Sequence, residues 1–505
     1  MSDYILAFDS GTQSVKTIIF DAEGNDKGEG RILHKVFTPK AGYAEQDPEE
    51  WWTAFCKSVQ QALTNGNVSP NRIAAIGITH QRCTICVVDE NGKPLLPAQV
   101  WYDSRAVKEV RWIKEKFGAE KYLRIAGRMP DTTWWAQKAM WIKNNEEKIF
   151  NKAYKLLTVH GYFVYKLTGN YKDSYAAPTG LLDMEKLSYS EELLNTLGIP
   201  REKLCDLVPP GEIIGYVSRK ASIETGLPEG IPVASGAGDQ QSGGLGCGVV
   251  RKGLAYLNLG TSVVLGLFSP EYVYHRNFLV REGAVPGTWN LEALVNSGYW
   301  LVTWFKDNFC QIEKHIADQC KVSIEELLEQ EAKKVPAGSS GLIVQPYWLG
   351  VRQPYWDENA KGTIIGWRDV HTRSHFYRAI IEGIAYEVQL NIEGIEKALK
   401  TKIIELRAHG GGAKSPLSCQ IIADVSNLPV YKIQTHEATA LGAAILAAKA
   451  IRLYSDVSSA IESMVKISSK VMPIRNNHKI YSHIYKSIYR KLYPTLHPLM
   501  KKLNI

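Results

Sequence analysis

The chain has 505 residues, 45% hydrophobic and 22% charged, with 41 glycines and 22 prolines. That length exceeds what one hydrophobic core usually serves, so two domains of roughly 250 residues are expected, and the composition is that of an ordinary globular protein, which excludes disorder. The net charge of +8 arises from 60 Lys plus Arg spread along the chain against 52 acidic residues; without a dense basic block, a nucleic-acid partner is excluded.

The N-terminus opens directly on apolar Tyr4 to Phe8, and the eight cysteines (Cys56, Cys83, Cys86, Cys205, Cys247, Cys310, Cys320 and Cys419) are scattered rather than patterned. A reducing, cytoplasmic setting is the expectation. Ile5 to Phe8, a turn over Asp9 to Ser14, and β-branched Val15 to Phe20 predict a β-hairpin. Strands are expected over Ile73 to Thr79 and Ile85 to Asp89, then helices over Ser104 to Phe117 and Trp134 to Ile149. Cys83 and Cys86 have CxxC spacing, but with no second pair and side chains expected on opposite faces of a strand, a metal or redox site is not predicted.

Ile231 to Asp239 reads as a buried strand breaking into a glycine-rich turn, and the domain boundary is set near Gly246, giving domains 1–246 and 247–505. A second hairpin follows, Leu254 to Leu259, then Gly260-Thr261-Ser262, then Val263 to Phe268, so one architectural unit occurs twice. Glu405 to Ala408 predicts a strand emptying into Gly410-Gly411-Gly412, with a helix over Leu417 to Ser426. The apolar run Ala438 to Ile451 falls short of the ~18 residues of a membrane span and contains Thr439 and Lys449. At the C-terminus, Ile480, Tyr481, Ile484, Tyr485, Ile488, Tyr489 and Leu492 have the spacing of a helix docked on a core.

The glycine turns suggest phosphate chemistry. A triphosphate needs backbone amides at close range, hydroxyls or cations for the γ-phosphate and a carboxylate for Mg²⁺. Gly11-Thr12 with Lys16, Gly260-Thr261 and Gly410 to Gly412 each offer some of these parts. Neither a P-loop nor a GxGxxG fingerprint is present, because Ala413 precedes Lys414 where glycine is required. Phosphoryl transfer to an alcohol also needs a base for the hydroxyl proton; Asp239, after a buried strand and at the predicted hinge, suits that role. Asp9, ending the first strand, suits Mg²⁺.

Gly362 to Gly366 with His375 to Glu382, Pro354 to Asp357, Ala413 to Pro416 and Ala438 to Ala444 together resemble the FGGY carbohydrate kinases from Tyr4 to about Tyr454. The resemblance implies an α/β protein of two actin-like (ribonuclease H-like) domains, the sugar kinase, heat-shock ATPase and actin fold, with a cleft between them. It implies ATP and Mg²⁺ as cofactors, Asp239 as base and metal contact, and Asp9 as metal contact. Gly11, Thr12, Lys16, Gly260, Thr261, Gly298, Gly411 and Gly412 would then contact the nucleotide.

Gln81, Arg82, Trp101 and Gln240 lie in segments similar to glycerol kinases and would line the substrate pocket with Asp239. Cys83 and Thr133 replace a glutamate and a tyrosine of that pattern, so a ketopentose such as xylulose, or a longer polyol, is favoured over glycerol. Ala177 to Asp183 is similar to autoinducer kinases of the same family. Trp134 and Trp135 could stack on a sugar or pack in the core. A homodimer is compatible with the resemblance. The alternative of another class is a non-catalytic, nucleotide-dependent binding protein of the same fold.

Overall fold

The computed structural model describes residues 4–177 and 179–503; Pro178, within the segment Ala177 to Asp183, lies outside them. The first strand, Tyr4–Ser10, shows how the fold begins. Ile5 and Ala7 enter one hydrophobic core and Leu6 and Phe8 another. With side chains alternating at a period of two, a strand apolar on both faces must be covered on both.

Tyr4–Ser10, Ser14–Phe20 and Asp26–Leu33 form an antiparallel meander. Ile73–His80 joins parallel to Tyr4–Ser10, Pro232–Ala234 joins parallel to Ile73–His80, and Ile213–Tyr216 closes the edge antiparallel. The second sheet repeats the plan. Leu254–Leu259, Val263–Ser269 and Trp289–Val295 form the meander, with Leu279–Glu282 beyond it. Glu405–His409 and Val430–Ile433 follow in parallel, and Ile467–Val471 closes the edge antiparallel. This duplicated α/β architecture is the one expected.

On one face of the first sheet lie the helices Pro48–Gly66 and Val159–Thr168, whose Trp51, Phe55, Val59 and Phe163 pack with Leu6 and Phe8. The other face is covered from the second half of the chain, by the helix Ala438–Ala450. That helix is buried nearly all round, which accounts for its continuous apolar sequence; no helix among the described residues is long and apolar enough to cross a membrane. It crosses the helix Asp239–Gly246 at backbone distance. A Cβ on Gly246 would come within 1.9 Å of the Ala438 carbonyl, and one on Gly442 within 1.9 Å of the Ser242 carbonyl. Only glycine permits so close an approach.

Several elements differ in detail from expectation. The helix predicted from Ser104 begins at Val107 and widens into a π-helical stretch at Ile113–Gly118. Cys83 precedes the strand Cys86–Val88 at a φ of 63°, and the two cysteines belong to different cores, so their CxxC spacing forms no site. At the C-terminus the docking face is led by tyrosines, with Ile484 and Leu492 packed against the core beside them as expected. Tyr481, Tyr485, Tyr489 and Tyr493 donate to Glu382 (2.8 Å), Glu393 (2.9 Å), Glu387 (2.7 Å) and Asp357 (2.6 Å). Ile480 and Ile488, expected on that face, are exposed. Each tyrosine supplies a carboxylate, buried at Glu382 and Glu387 and partly exposed at Glu393 and Asp357, with a donor that isoleucine lacks.

Candidate active site

Asp239 stands at the junction of a short strand and a helix. Ala237–Gly238 pairs with Thr79 and His80 at the carboxyl end of the first sheet, and the chain turns directly into Asp239–Gly246. The side chain is thereby presented at a helix N-terminus, 35% exposed to the cleft. One carboxylate oxygen meets Arg82 Nε at 2.9 Å and the Gln240 amide at 2.8 Å, and the other accepts Gln240 Nε2 at 3.1 Å. The Gln240 carbonyl oxygen accepts in turn from Asn258 Nδ2, at 3.1 Å, on the second hairpin.

Arg82 is fixed from behind. Its two terminal nitrogens donate to the two oxygens of Glu292 at 2.6 and 3.0 Å, a bidentate pair with a fully buried carboxylate. Burial alone would raise Glu292, but the charges of Arg82 and Arg281 hold it below the usual carboxylate range. The Asp239 carboxylate is thus oriented by a guanidinium that cannot rotate away.

Asp9, at the end of the first strand, faces the same space. Its Oδ1 is enclosed and has no hydrogen-bond partner. Burial first, then the negative charges of Asp239 and Glu437, push its pKa up to about 7 against the opposing Lys16. A carboxylate so destabilised attracts a cation. No three His, Cys, Asp or Glu among the described residues converge on a common metal position.

The two Gly-Thr turns open onto one cavity of about 280 Å³, lined by Asp9, Gly11, Thr12, Gln81, Arg82, Trp101, Asp239, Gln240, Gly260 and Thr261 among others. The first turn is braced from below. Thr12 Oγ1 donates to Gln81 (3.2 Å) and accepts from the Trp101 indole (3.0 Å), while its carbonyl accepts from Gln46 (2.7 Å). Gln81 and Trp101, expected as substrate contacts, are therefore engaged with Thr12. In the second turn the carbonyls of Gly260 and Thr261 accept from the Tyr299 and Trp300 amides, the first turn of a helix.

The remaining expected residues lie outside this cavity lining. Lys16 is held by Glu437 (2.7 Å) and Glu29 (3.0 Å). Gly298 packs beneath the second turn, where a Cβ would approach Val263 N to 2.6 Å. Gly411 is open to solvent, and Gly412 lies against the Tyr299 ring. Trp135 is core, donating to the Leu157 carbonyl, whereas Trp134 borders the cavity with its ring beneath Arg281. Lys138 ties the wall together by donating to the carbonyls of Cys83, Trp101 and Thr133, and burial lowers its pKa to about 8.

Sequence reading missed Arg281, Glu292, Asn258 and Arg352, all of which line the cavity. Arg281 and Glu292 did carry a signal. Glu292 is a charge between apolar Leu291 and Ala293, and Arg281 follows apolar Leu279 and Val280 in its strand; a buried charge requires a partner.

Duplicated sheets, with Asp239 and two Gly-Thr turns on one cavity, are the architecture expected of a carbohydrate kinase, and comparison with known proteins shows that class. Residues 4–246 match the N-terminal domain of the FGGY family of carbohydrate kinases and residues 255–451 its C-terminal domain. The chain belongs to the FGGY family. It is 32% identical over 476 residues to a glycerol kinase of Thermococcus kodakarensis (92% of this chain, 91% of the relative). It is 29% identical over 470 residues to a xylulose kinase of Lactococcus lactis, with the same shares of both chains. Among solved structures, a gluconate kinase from Lactobacillus acidophilus superposes with a TM-score of 0.89 at 24% identity, covering 99% of each chain.

Proposed function

We propose that the protein transfers the γ-phosphoryl group of ATP to a hydroxyl of a small sugar or polyol, with Asp239 as the general base. The observation that carries this reading is the exposed Asp239 carboxylate, clamped by Arg82 in a cavity bordered by both Gly-Thr turns. The substrate hydroxyl gives its proton to Asp239 as its oxygen attacks the γ-phosphorus; the bond to the bridging oxygen breaks and ADP departs. The backbone amides of Thr12 and Thr261 and the Thr261 hydroxyl hold the terminal phosphates from opposite sides of the cleft, while the Thr12 hydroxyl, bonded to Gln81 and Trp101, fixes its turn. Asp9 is the residue that would hold Mg²⁺, which neutralises phosphate charge when bound. Lys16 reaches the phosphates only after leaving Glu437, so its part begins with nucleotide binding. None of the eight cysteines is paired in a disulfide, in keeping with the cytoplasmic setting proposed.

Relatives include kinases named for glycerol, for xylulose and for gluconate. A substrate longer than glycerol is favoured here, because Cys83 and Thr133 border the cavity where larger polar groups would fill it. The reading is tested with Asp239→Asn. Turnover should fall by roughly 10²- to 10⁴-fold while ATP binding persists; turnover equal to that of the parent protein would refute Asp239 as the base.

A further inference from the structure

The segment that delivers Asp239 is built of small residues. Ser235-Gly236-Ala237-Gly238 links the strand Pro232–Ala234 to the helix Asp239–Gly246, and its two glycines open several backbone paths to it. Hydrogen bonds from outside must therefore select one. The Gly236 residue is gripped on both its backbone polar groups: its N–H donates to His160 Nε2 at 3.0 Å, and its carbonyl accepts from Ser174 Oγ at 2.6 Å. Two residues on, the Gly238 N–H donates to the Ala176 carbonyl at 3.1 Å. The opposite side has no slack, since a Cβ on Gly236 would come within 1.8 Å of the Ile78 carbonyl.

The grip is itself anchored in the core. His160, in the first turn of the helix Val159–Thr168, is fully buried; because its Nε2 accepts from Gly236, the ring proton lies on Nδ1 and is donated to Asp173 Oδ1 at 2.9 Å. Asp173 precedes Ser174 on the strand Lys172–Ser174, and its other oxygen accepts at 2.7 Å from Thr158 Oγ1, the side chain that caps the same helix. Every polar side-chain atom of the pair has a partner, and the network ends on one backbone amide three residues before the base. A buried histidine and carboxylate cost desolvation that an apolar side chain would avoid. An apolar side chain could not accept the Gly236 N–H, which would be left unpaired in the core. The His160 ring also lies 5.6 Å from that of His80, whose backbone is in register with Gly238 and leads into Gln81 and Arg82. One side chain thereby backs both strands whose ends carry the Arg82–Asp239 pair.

We propose that His160, oriented by Asp173 and aided by Ser174, is a positioning residue for the phosphoryl transfer, fixing the Gly236 backbone and through it the place of the Asp239 carboxylate. This inference rests on Asp239 acting as the base. His160 and Asp173 stand behind the cavity wall rather than in it, so they act on the aim of the carboxylate and not on substrate. Arg82 holds the far end of the Asp239 side chain; His160 and Ser174 hold the backbone from which it springs. A general base must lie within hydrogen-bond reach of the attacking hydroxyl, and a misplacement of ~1 Å costs on the order of 100-fold in rate.

The experiment compares His160→Asn with His160→Gln in the full-length protein. Asparagine reproduces the Nδ1 donor to Asp173 but is too short to reach Gly236; glutamine puts an acceptor at the Nε2 position and gives up the donor. Steady-state rates are measured with Mg-ATP and the fastest substrate from a panel of polyols, ketoses and aldonates that includes glycerol, xylulose and gluconate. His160→Asn should lower kcat by roughly 10- to 100-fold while KM for ATP stays within about twofold, because the Gly-Thr turns are untouched. His160→Gln should recover most of the parental kcat. In the nucleotide-free proteins, hydrogen exchange at the Gly236 and Gly238 amides should quicken in the asparagine variant and not in the glutamine one. Ser174→Ala, which removes the other grip on Gly236, should lower kcat in the same way and keeps the test decisive if neither histidine variant folds. Equal kcat in the asparagine and glutamine variants, losses that follow melting temperature rather than the bond retained, or parental kcat in Ser174→Ala would overturn the inference. Asp239→Asn, run alongside, separates the two readings: if it is inactive while the His160 and Ser174 variants keep the parental rate, this inference alone falls. If Asp239→Asn keeps the parental rate, or the parent protein turns over nothing in the panel, both fall.

Discussion

Replacing Asp9 by asparagine should stabilise the nucleotide-free protein at alkaline pH far more than at acid pH. An aspartate ordinarily titrates at 3.8, and in the folded protein Asp9 is pushed up to about 7. Below 3.8 its carboxyl is protonated whether the chain is folded or not. As pH rises from there the unfolded chain ionises while the fold keeps its proton, so stability is lost progressively until about pH 7 and then levels off. That interval corresponds to roughly 4 kcal/mol at ~1.4 kcal/mol per tenfold in proton affinity. Oδ1 is enclosed but the residue as a whole keeps some solvent contact, and screening brings the expected effect to about 2–4 kcal/mol. The asparagine side chain does not ionise and escapes the loss. Thermal melts of both proteins at pH 4.5 and 8.5, without nucleotide or magnesium, should show the variant's advantage widening by roughly 2–4 °C at the higher pH. A constant or shrinking difference would refute the account of Asp9 as a carboxylate destabilised by burial and by Asp239 and Glu437.

Two further predictions concern the frame of the site. Gly442→Ala places a methyl 1.9 Å from the Ser242 carbonyl, and the overpacking should cost about 1–3 kcal/mol, read as a lower denaturation midpoint; an unchanged midpoint would mean that the two helices can part freely. Tyr489→Phe removes one of the two tyrosine donors on buried Glu387, the other being Tyr347, and burial already pushes the pKa of that glutamate up to about 7. The loss should be about 1–3 kcal/mol and grow with pH, because the bond favours the ionised carboxylate; a pH-independent loss would count against the hydrogen bond as its source.

Much of this architecture was legible because its signals are local. Ile5 to Phe8 and Leu254 to Leu259 are apolar on both faces and end in short glycine turns, so the duplicated hairpins and the position of Asp239 after a buried strand followed from periodicity. The wall of the pocket did not. Arg281 and Glu292 lie on neighbouring strands, and their proximity to Arg82, far earlier in the chain, is a property of how the two halves meet. Lys16 illustrates the same limit: its partner Glu437 lies 421 residues away. At the C-terminus the spacing of four identified a docking helix, but an apolar scale ranks isoleucine above tyrosine and cannot anticipate that buried glutamates on the opposing helix require hydroxyl donors.

The helix Ala438–Ala450 has a consequence for biosynthesis. The N-terminal sheet is finished, strand for strand, by Gly238, yet one of its faces waits for a segment made long afterwards. A ribosome would therefore release a half-covered sheet, with Ile5, Ala7 and Ala75 exposed to whatever meets them, through much of translation. Synthesis of the intact protein should thus depend on holding that face until the last part of the chain arrives.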